Sequence, residues 1–199
     1  MAKYKIRQSG YNREFGFNSG GQLVTTNYTV GAKNGSTVTL QETDAGAFRS
    51  VILTLASTPV TVANTTGASF GNVKLYDFPA GRIYLLGGSS SLTFTWTGED
   101  IAATGSGDYS IGSTGTADAT LNSTDVDMQA STAMLDPFVS GVGTGSGVFA
   151  SPAAFDGTAT AIDMYLNMII DDADVADGAS DTVLVSGTVK FAWVDFGDI

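Results

Sequence analysis

Apolar and polar residues alternate along much of this chain with a period of two, which is the pattern of a half-buried β-strand. In the segment SLTFTW, residues 91–96, three large apolar side chains alternate with polar ones. Two longer segments, 162–170 and 183–193, show the same alternation near the end of the chain. We expect the large apolar side chains of these segments to be buried, in particular Trp96, Met164, Leu166, Met168, Val185, Val189, Phe191 and Trp193.

Shorter segments with the same period fill most of the remaining chain, and turns rich in Gly, Ser, Thr, Asn and Asp separate them. No segment has the sustained period and the caps of a helix. Many short strands with frequent turns indicate an all-β sandwich or barrel. We therefore predict a single β-sandwich over residues 36–199, with no long helix. The glycine-rich stretch 141–157 is predicted to be a long flexible loop, and Gly87–Gly88 a turn.

Five aspartates fall close together near the end of the chain: Asp171, Asp172, Asp174, Asp177 and Asp181. An EF-hand calcium loop needs acids at positions 1, 3 and 5, glycine at 6 and glutamate at 12. Counted from Asp172, the required residues are missing at positions 5, 6 and 12. A weak, irregular calcium site stays open, but we predict no metal site. We expect a solvated hairpin loop whose flanking strands, about 160–170 and 182–195, pair antiparallel.

The chain contains neither histidine nor cysteine. Histidine is the commonest general base, and both residues are the usual ligands of zinc. Catalytic triads built on histidine and ordinary zinc sites are therefore impossible. We expect a protein that is not an enzyme and that uses no cofactor.

A glycosidase could still work with two carboxylates, and the pairs Glu99–Asp100 and Asp125/Asp127 are the candidates. Nothing in the sequence brings these acids together in space, so we interpret them as solubility charges at strand ends. Sugar binding by aromatic stacking would need exposed rings, and Tyr11, Tyr109 and Phe138 are the candidates. Trp96 and Trp193 lie on apolar faces and are assigned to the core.

The charge of the chain is unevenly distributed. Residues 1–82 carry eight Lys/Arg and four acids, whereas residues 83–199 carry one base, Lys190, and sixteen acids. A formal net charge of −11 makes binding to nucleic acid unfavourable. Four of the bases precede Glu14 in a polar segment, 1–35, which we predict to be an extended N-terminal arm. We expect the arm to bind a partner through Lys3, Tyr4, Lys5, Ile6, Arg7 and Arg13.

The start of the chain lacks the apolar region of a signal peptide, and no stretch approaches the ~20 apolar residues of a membrane span. We therefore expect a protein that is made in the cytoplasm and does not bind membranes.

The last strand carries a motif of the form GTVxxxWxxxGD, formed by Gly187, Thr188, Val189, Trp193, Gly197 and Asp198. This segment resembles the carboxyl end of small β-rich virion proteins of tailed bacteriophages, in the head decoration or cement class. The segment VKLYDFPAGRIYLLG, residues 73–87, is similar to a mid-chain motif of the same proteins. Together the similar regions cover about half of the chain, and they consist of core and turn residues.

The resemblance implies a jelly-roll sandwich and a structural function. It implies a virion protein that binds the major capsid protein on the outer capsid surface, often as a homotrimer, after synthesis in the cytoplasm of the host bacterium. Two other functions stay open. One is a non-enzymatic carbohydrate- or receptor-binding sandwich of a phage tail or bacterial surface, and the other is a carboxylate-dependent glycan hydrolase.

Overall fold

The protein is described by a computed structural model. Its backbone is described for residues 4–8, 11–17, 23–25, 32–45, 47–64, 69–96, 106–134, 142–150, 152–171 and 180–197. Side chains are described for residues 32–43, 47–63, 69–96, 106–134, 142–150, 152–171 and 180–196.

The described residues form β-strands, turns and loops, with no helix among them. The strands are β1 (Tyr4–Gln8), β2 (Tyr11–Phe17), β3 (Leu23–Thr25), β4 (Ala32–Lys33), β5 (Val38–Ala45), β6 (Phe48–Asn64), β7 (Ser69–Asp77), β8 (Gly81–Trp96), β9 (Gly107–Gly112), β10 (Gln129–Ala133), β11 (Val142–Val148), β12 (Ala153–Gly157), β13 (Asp163–Ile170) and β14 (Ser180–Gly197).

Eleven of these strands belong to one antiparallel sheet. Eight of them follow one another in the order β10-β9-β13-β7-β6-β14-β8-β11. In addition, β12 pairs with β8, β4 with β7 and β5 with β6. The sheet curls so that its two ends approach each other, and the N–H of Ala150 donates to the carbonyl oxygen of Met128 at 2.8 Å between them. The predicted all-β class is confirmed, and the curled sheet is consistent with a β-sandwich. The jelly-roll connectivity stays a prediction.

Three long strands, β6, β8 and β14, form the middle of the sheet, and bulges in β6 and β8 keep one face of these two strands turned towards the core. In β6 the buried residues are odd-numbered up to Leu55 and even-numbered from Thr58. Between them an extra residue is inserted at Ser57, whose φ is 54°. The N–H of Ser57 donates to Oγ of Ser186 at 3.0 Å. The predicted turn at Gly87–Gly88 is wrong, because these glycines lie inside the continuous strand β8, directly after a bulge at Leu86.

The glycine-rich stretch 141–157 is not a long loop, because it contains β11 and β12, which both pair with β8. Two glycines of β11 lie against large side chains of the core. A Cβ on Gly145 would lie 2.3 Å from Cε1 of Tyr109, and one on Gly147 would lie 2.3 Å from Nε2 of Gln129. Glycine lowers strand propensity and so hid this strand in the sequence. Here its lack of a side chain lets β11 approach the core closely.

The core lies inside the curl of the sheet. All eight side chains that the alternation predicted to be buried are buried, with exposed fractions between 0% and 7%. Trp193 is fully buried, and its ring meets that of Phe78 edge to face with 5.4 Å between centroids. Phe191 packs against Tyr76 in the same way at 5.2 Å. Burial of these aromatic side chains supplies a large part of the hydrophobic stabilisation.

The prediction that the last two strands form a hairpin is wrong. β13 lies between β9 and β7, whereas β14 lies between β6 and β8. Two strands, β7 and β6, therefore separate β13 from β14, and the aspartate-rich segment joins strands that are not neighbours. The alternation of residues determines which face of a strand is buried, but it carries no information about which strand lies beside it.

Within the predicted arm, β1, β2 and β3 form a separate antiparallel sheet of three strands in the order β1-β2-β3. Towards the end of the predicted arm, Ala32 and Lys33 of β4 pair with β7 in the main sheet. The arm is therefore not a single extended strand. The domain boundary near residue 36 stays a prediction.

Candidate functional site

The residues predicted to bind a partner lie on β1 and β2 or directly before β1. In the β1–β2 hairpin, Lys5 is the register partner of Glu14, and Ile6 is that of Arg13. The side chains of all six residues lie outside those that the structure describes: Lys3, Tyr4, Lys5, Ile6, Arg7 and Arg13. Their role in binding therefore stays a prediction.

The two ends of the aspartate-rich segment have described side chains, whereas the three aspartates between them lie outside the described residues. Asp171 is exposed, accepts a hydrogen bond from Oγ of Ser106, and donates its N–H to the Ser106 carbonyl oxygen at 3.0 Å. Asp181 is 9% exposed, and its Oδ1 accepts from the N–H of Thr182 at 2.6 Å. The described part of the chain contains no group of three or more acids that could hold a metal ion. The expectation of no calcium site stays a prediction, and Glu99–Asp100 also lies outside the described residues.

Asp125 and Asp127 hold the loop between β9 and β10 in place. Asp125 is 3% exposed, and it accepts hydrogen bonds from Oγ1 of Thr114 at 2.8 Å and from the N–H of Asn122 at 2.9 Å. Asp127 accepts from the N–H and the Oγ of Ser113 at 2.8 and 2.5 Å. Burial raises the pKa of the Asp127 carboxyl. The interpretation of these acids as surface solubility charges is therefore wrong, since both bind groups of the loop itself.

A buried amide connects the same loop to the sheet. Asn167 of β13 is fully buried and accepts the N–H of Thr116 at 2.8 Å. Its Nδ2 donates to the carbonyl oxygens of Thr114 at 2.9 Å and of Asp125 at 3.1 Å. Nearby, Nδ2 of Asn72 donates to the carbonyl oxygen of Thr116 at 2.9 Å. Sequence reasoning missed Asn167, because the alternation of β13 places it on the face opposite the apolar residues.

A second polar cluster lies in the core beneath β5, β6 and β7. Nη1 of Arg49 lies 3.4 Å from Oε1 of Glu42, and the two side chains are 0% and 7% exposed. The hydroxyl of Tyr76 donates to Oε2 of Glu42 at 3.2 Å, and the Arg49 guanidinium lies 6.0 Å from the centroid of the Trp193 ring. Burial, followed by the nearby Glu42 charge, raises the pKa of Tyr76. The ion pair is enclosed by the fold, so it is a structural element.

A third cluster lies where the two ends of the sheet meet. Oγ of Ser90 lies 2.9 Å from the hydroxyl of Tyr109 and donates to Oε1 of Gln129 at 2.6 Å. Tyr109 is fully buried, so the suggestion that it stacks on a sugar is wrong. The side chains of the other two sugar-binding candidates, Tyr11 and Phe138, lie outside those described.

A partly exposed charged cluster lies where β7 ends and β13 begins. Nζ of Lys74 forms ion pairs with Asp77 and, at 3.3 Å, with Asp163. The hydrogen bond to Asp77 raises the pKa of Lys74, and burial raises that of Asp163. The hydroxyl of Tyr165 donates to Oδ2 of Asp163 at 3.4 Å. The cluster ties β7 to β13 and neutralises part of the acidic charge on this side of the sheet.

The most distinctive surface lies on the side of the sheet that faces away from the core. The outer face is defined here by the outward side chains of residues 39–43, 48–54, 82–95, 142–148 and 184–194. The register places one hydroxyl side chain from each of five neighbouring strands in a single row: Thr39, Thr54, Thr188, Ser91 and Ser146. A second row, two residues further along, contains Ser186, Thr93 and Thr144.

One end of the outer face is aromatic. Phe48, Val194 and Tyr84 are register partners across β6, β14 and β8. Phe48 is 43% exposed, and Phe196, which is 53% exposed, lies beside this row with its ring centroid 6.5 Å from that of Tyr84. Large exposed aromatic residues on one face of a sheet are typical of a surface that contacts another molecule.

The outer face carries very little charge. Among its described side chains the charged ones are Arg82 and Lys190, and both are basic. At the edge of the face, Nε of Arg82 lies 3.7 Å from Oδ2 of Asp156 on β12. The other exposed or half-buried acids with described side chains, such as Asp108, Asp118 and Asp163, lie outside this face. The outer face is the candidate functional site.

The chain matches no protein-family model, no curated protein sequence and no solved structure. No apolar helix of membrane-spanning length occurs in the part of the chain that the structure describes.

Proposed function

We propose that the protein is a structural component of a tailed-phage virion, a decoration or cement protein that binds the outer surface of the capsid and stabilises the head. The observation that carries the proposal is the outer face, which is broad, uncharged over most of its extent and aromatic at one end. Charged residues are depleted at the centre of protein–protein interfaces. A face of this kind, in a chain with a net charge of −11, suits a protein that works by contact within an assembly.

Five residues of the carboxyl-terminal motif that carries the resemblance to decoration proteins, from Gly187 to Gly197, belong to β14 in the middle of the sheet. Gly187 has a φ of 133°, and a Cβ there would lie 2.2 Å from the carbonyl oxygen of Ser91. Val189 and Trp193 of the same motif are fully buried. These residues of the motif are therefore required by the framework of the sheet, as residues of the core and of a bulge rather than of a catalytic site.

The use of the buried polar groups supports a structural role over an enzymatic one. Two carboxylates inside the fold, Glu42 and Asp125, are engaged by groups of the scaffold. The partner in this proposal is the major capsid protein, and the protein acts as a homotrimer without cofactor or nucleic acid. The N-terminal segment, with its excess of positive charge, contacts the shell or a neighbouring subunit.

The proposal is tested by adding purified protein to capsids of the phage that encodes it, prepared without this protein. Saturable binding and a higher temperature of head disruption are the expected results. A chain lacking residues 1–13 should keep a cooperative thermal unfolding transition but bind the shell more weakly. Absence of the protein from purified virions, as judged by mass spectrometry, would rule out the proposal.

One observation favours a second function, namely binding of a carbohydrate or receptor by a sandwich of a phage tail or bacterial surface. The exposed ring of Phe196 packs edge to face against the half-buried Tyr84, and the exposed Phe48 lies on the same face. Aromatic rings that are exposed in this way can stack on sugar rings. Binding to a glycan array that Phe196→Ala abolishes, without any binding to capsids, would favour this function over the first.

A further inference from the structure

We infer that the outer face of one copy of this chain binds the acidic half of the sheet of a second copy, in a head-to-tail contact. The acidic half consists of β7, β9 and β13 with the loops at their ends. The inference rests on the proposed structural function, and it specifies the partner of the outer face. It follows from the difference in charge between two sets of strands in the curled sheet.

The two halves of the sheet differ in the charge of their outward side chains. The outer face, on β5, β6, β8, β11 and β14, carries Arg82 and Lys190, and Asp156 of the adjoining strand β12 pairs with Arg82 at its edge. The described acids of the other half lie on β7, β9 and β13 and in the loops at their ends: Asp77, Asp108, Asp118, Asp125, Asp127, Asp163 and Asp171, of which Asp125 is buried. Lys74 neutralises part of the charge of Asp77 and Asp163. The remaining acids still give this half of the sheet a net negative charge.

A contact between two identical outer faces is unfavourable on electrostatic grounds. It would bring together Lys190 of both copies, whose register partners Ile52 and Ser89 are uncharged, whereas Arg82 is paired with Asp156 at the edge of the face. Contact between the outer face and the acidic half of another copy instead pairs opposite charges. Such a contact uses two different surfaces, so repetition gives a closed ring or a filament.

The size of the outer face is sufficient for a stable contact. Five strands about 4.8 Å apart span about 24 Å, and the eleven residues 184–194 of β14 extend about 33 Å. The face therefore measures roughly 800 Å², which is about the area that each partner buries in a specific interface of standard size. The hydroxyl rows provide uncharged hydrogen-bonding groups across it, and the aromatic end provides apolar area.

The contact is tested first with purified full-length protein in sedimentation velocity over a range of concentrations. The wild type should associate. Thr188→Asp, which places an acid at the centre of the outer face, should weaken association by about tenfold or more. Thr188→Ser, which keeps the hydroxyl, is the matched control and should associate like the wild type. Thermal melts establish that each variant is folded, and Lys190→Glu replaces Thr188→Asp if the latter does not fold.

The head-to-tail geometry is tested by cross-linking, which is simple here because the chain has no cysteine. Thr188→Cys is labelled with a thiol-reactive benzophenone, mixed with unlabelled chain enriched in nitrogen-15, and irradiated. Cross-links from position 188 of one chain to β7, β9 or β13 of the other, or to the adjoining loops, are expected. Cross-links that join outer face to outer face, or a wild type that stays monomeric at all concentrations, would overturn the inference. Neither result depends on a capsid, so failure here is distinct from failure to bind virions.

Discussion

Replacing Asn167 by alanine tests whether one buried amide holds the loop between β9 and β10 on the sheet. The Asn167 side chain is fully buried and makes three hydrogen bonds to the backbone of Thr116, Thr114 and Asp125. Alanine can make none of them, and it leaves one N–H and two carbonyl groups of the loop without this partner.

The magnitude follows from the number of bonds. A buried hydrogen bond contributes about 1 kcal/mol net, and a buried polar group left without a partner costs about 1–3 kcal/mol. The free energy of unfolding should therefore fall by about 3–4 kcal/mol in Asn167→Ala. Asn72→Ala is the matched control, because Asn72 is exposed and makes one hydrogen bond to the same loop. It should cost about 1 kcal/mol.

Urea denaturation followed by tryptophan fluorescence measures both changes. Hydrogen exchange should show in addition that amides of the loop, such as the N–H of Thr116, lose protection in Asn167→Ala before global unfolding. If the two variants lose the same stability, or if Asn167→Ala loses less than about 1 kcal/mol, the role assigned to this amide is refuted.

Four further predictions concern the core, the sheet, the pH dependence and the aspartate-rich segment. Trp193→Ala should lower the free energy of unfolding by about 3–5 kcal/mol in urea denaturation, because the ring is fully buried; a loss below about 1 kcal/mol would contradict the core assignment. Gly145→Ala should cost about 1–3 kcal/mol in the same assay, because the new Cβ would lie 2.3 Å from the ring of Tyr109; a neutral effect would contradict the close packing of β11. Burial raises the pKa of Asp127 in the folded state, so its ionisation opposes folding. The stability of the wild type relative to Asp127→Asn should therefore fall as the pH rises above about 4, and a rising difference in pH-dependent urea titrations would contradict this. Millimolar calcium and a chelator should give closely similar thermal melts, and a large stabilisation by calcium that Asp177→Asn abolishes would show that a calcium site exists.

The sequence alone was sufficient for the class of the fold and for the identity of much of the core. Alternation with a period of two is a local property, and it fixes which side chains of a strand share a face. Met164, Leu166 and Met168 are buried for this reason, as are Val189 and Trp193. The absence of histidine and cysteine likewise excludes whole classes of active site on composition alone, because their chemistry needs those side chains.

The neighbours of each strand were decided only by the tertiary structure. β13 and β14 follow each other in the chain, yet β7 and β6 lie between them, because strand pairing depends on packing between distant segments. The glycines of β11 indicated a loop by local propensity, whereas contact with Tyr109 makes glycine the residue that fits. Bulges such as that at Ser57 shift the alternation in mid-strand, and the sequence contains no simple signal for them.

The outer face could not be predicted from the sequence for the same reason. Its central row is assembled from five segments between Thr39 and Thr188, and only the register of the strands places their hydroxyl groups side by side. The excess of acids in the second half of the chain was visible in the sequence. The position of described acids such as Asp108 and Asp163 away from the outer face was not visible, because folding brings β6, β8 and β14 together while these acids lie on β9 and β13. Local periodicity determined what is buried, and long-range pairing determined what the surface presents.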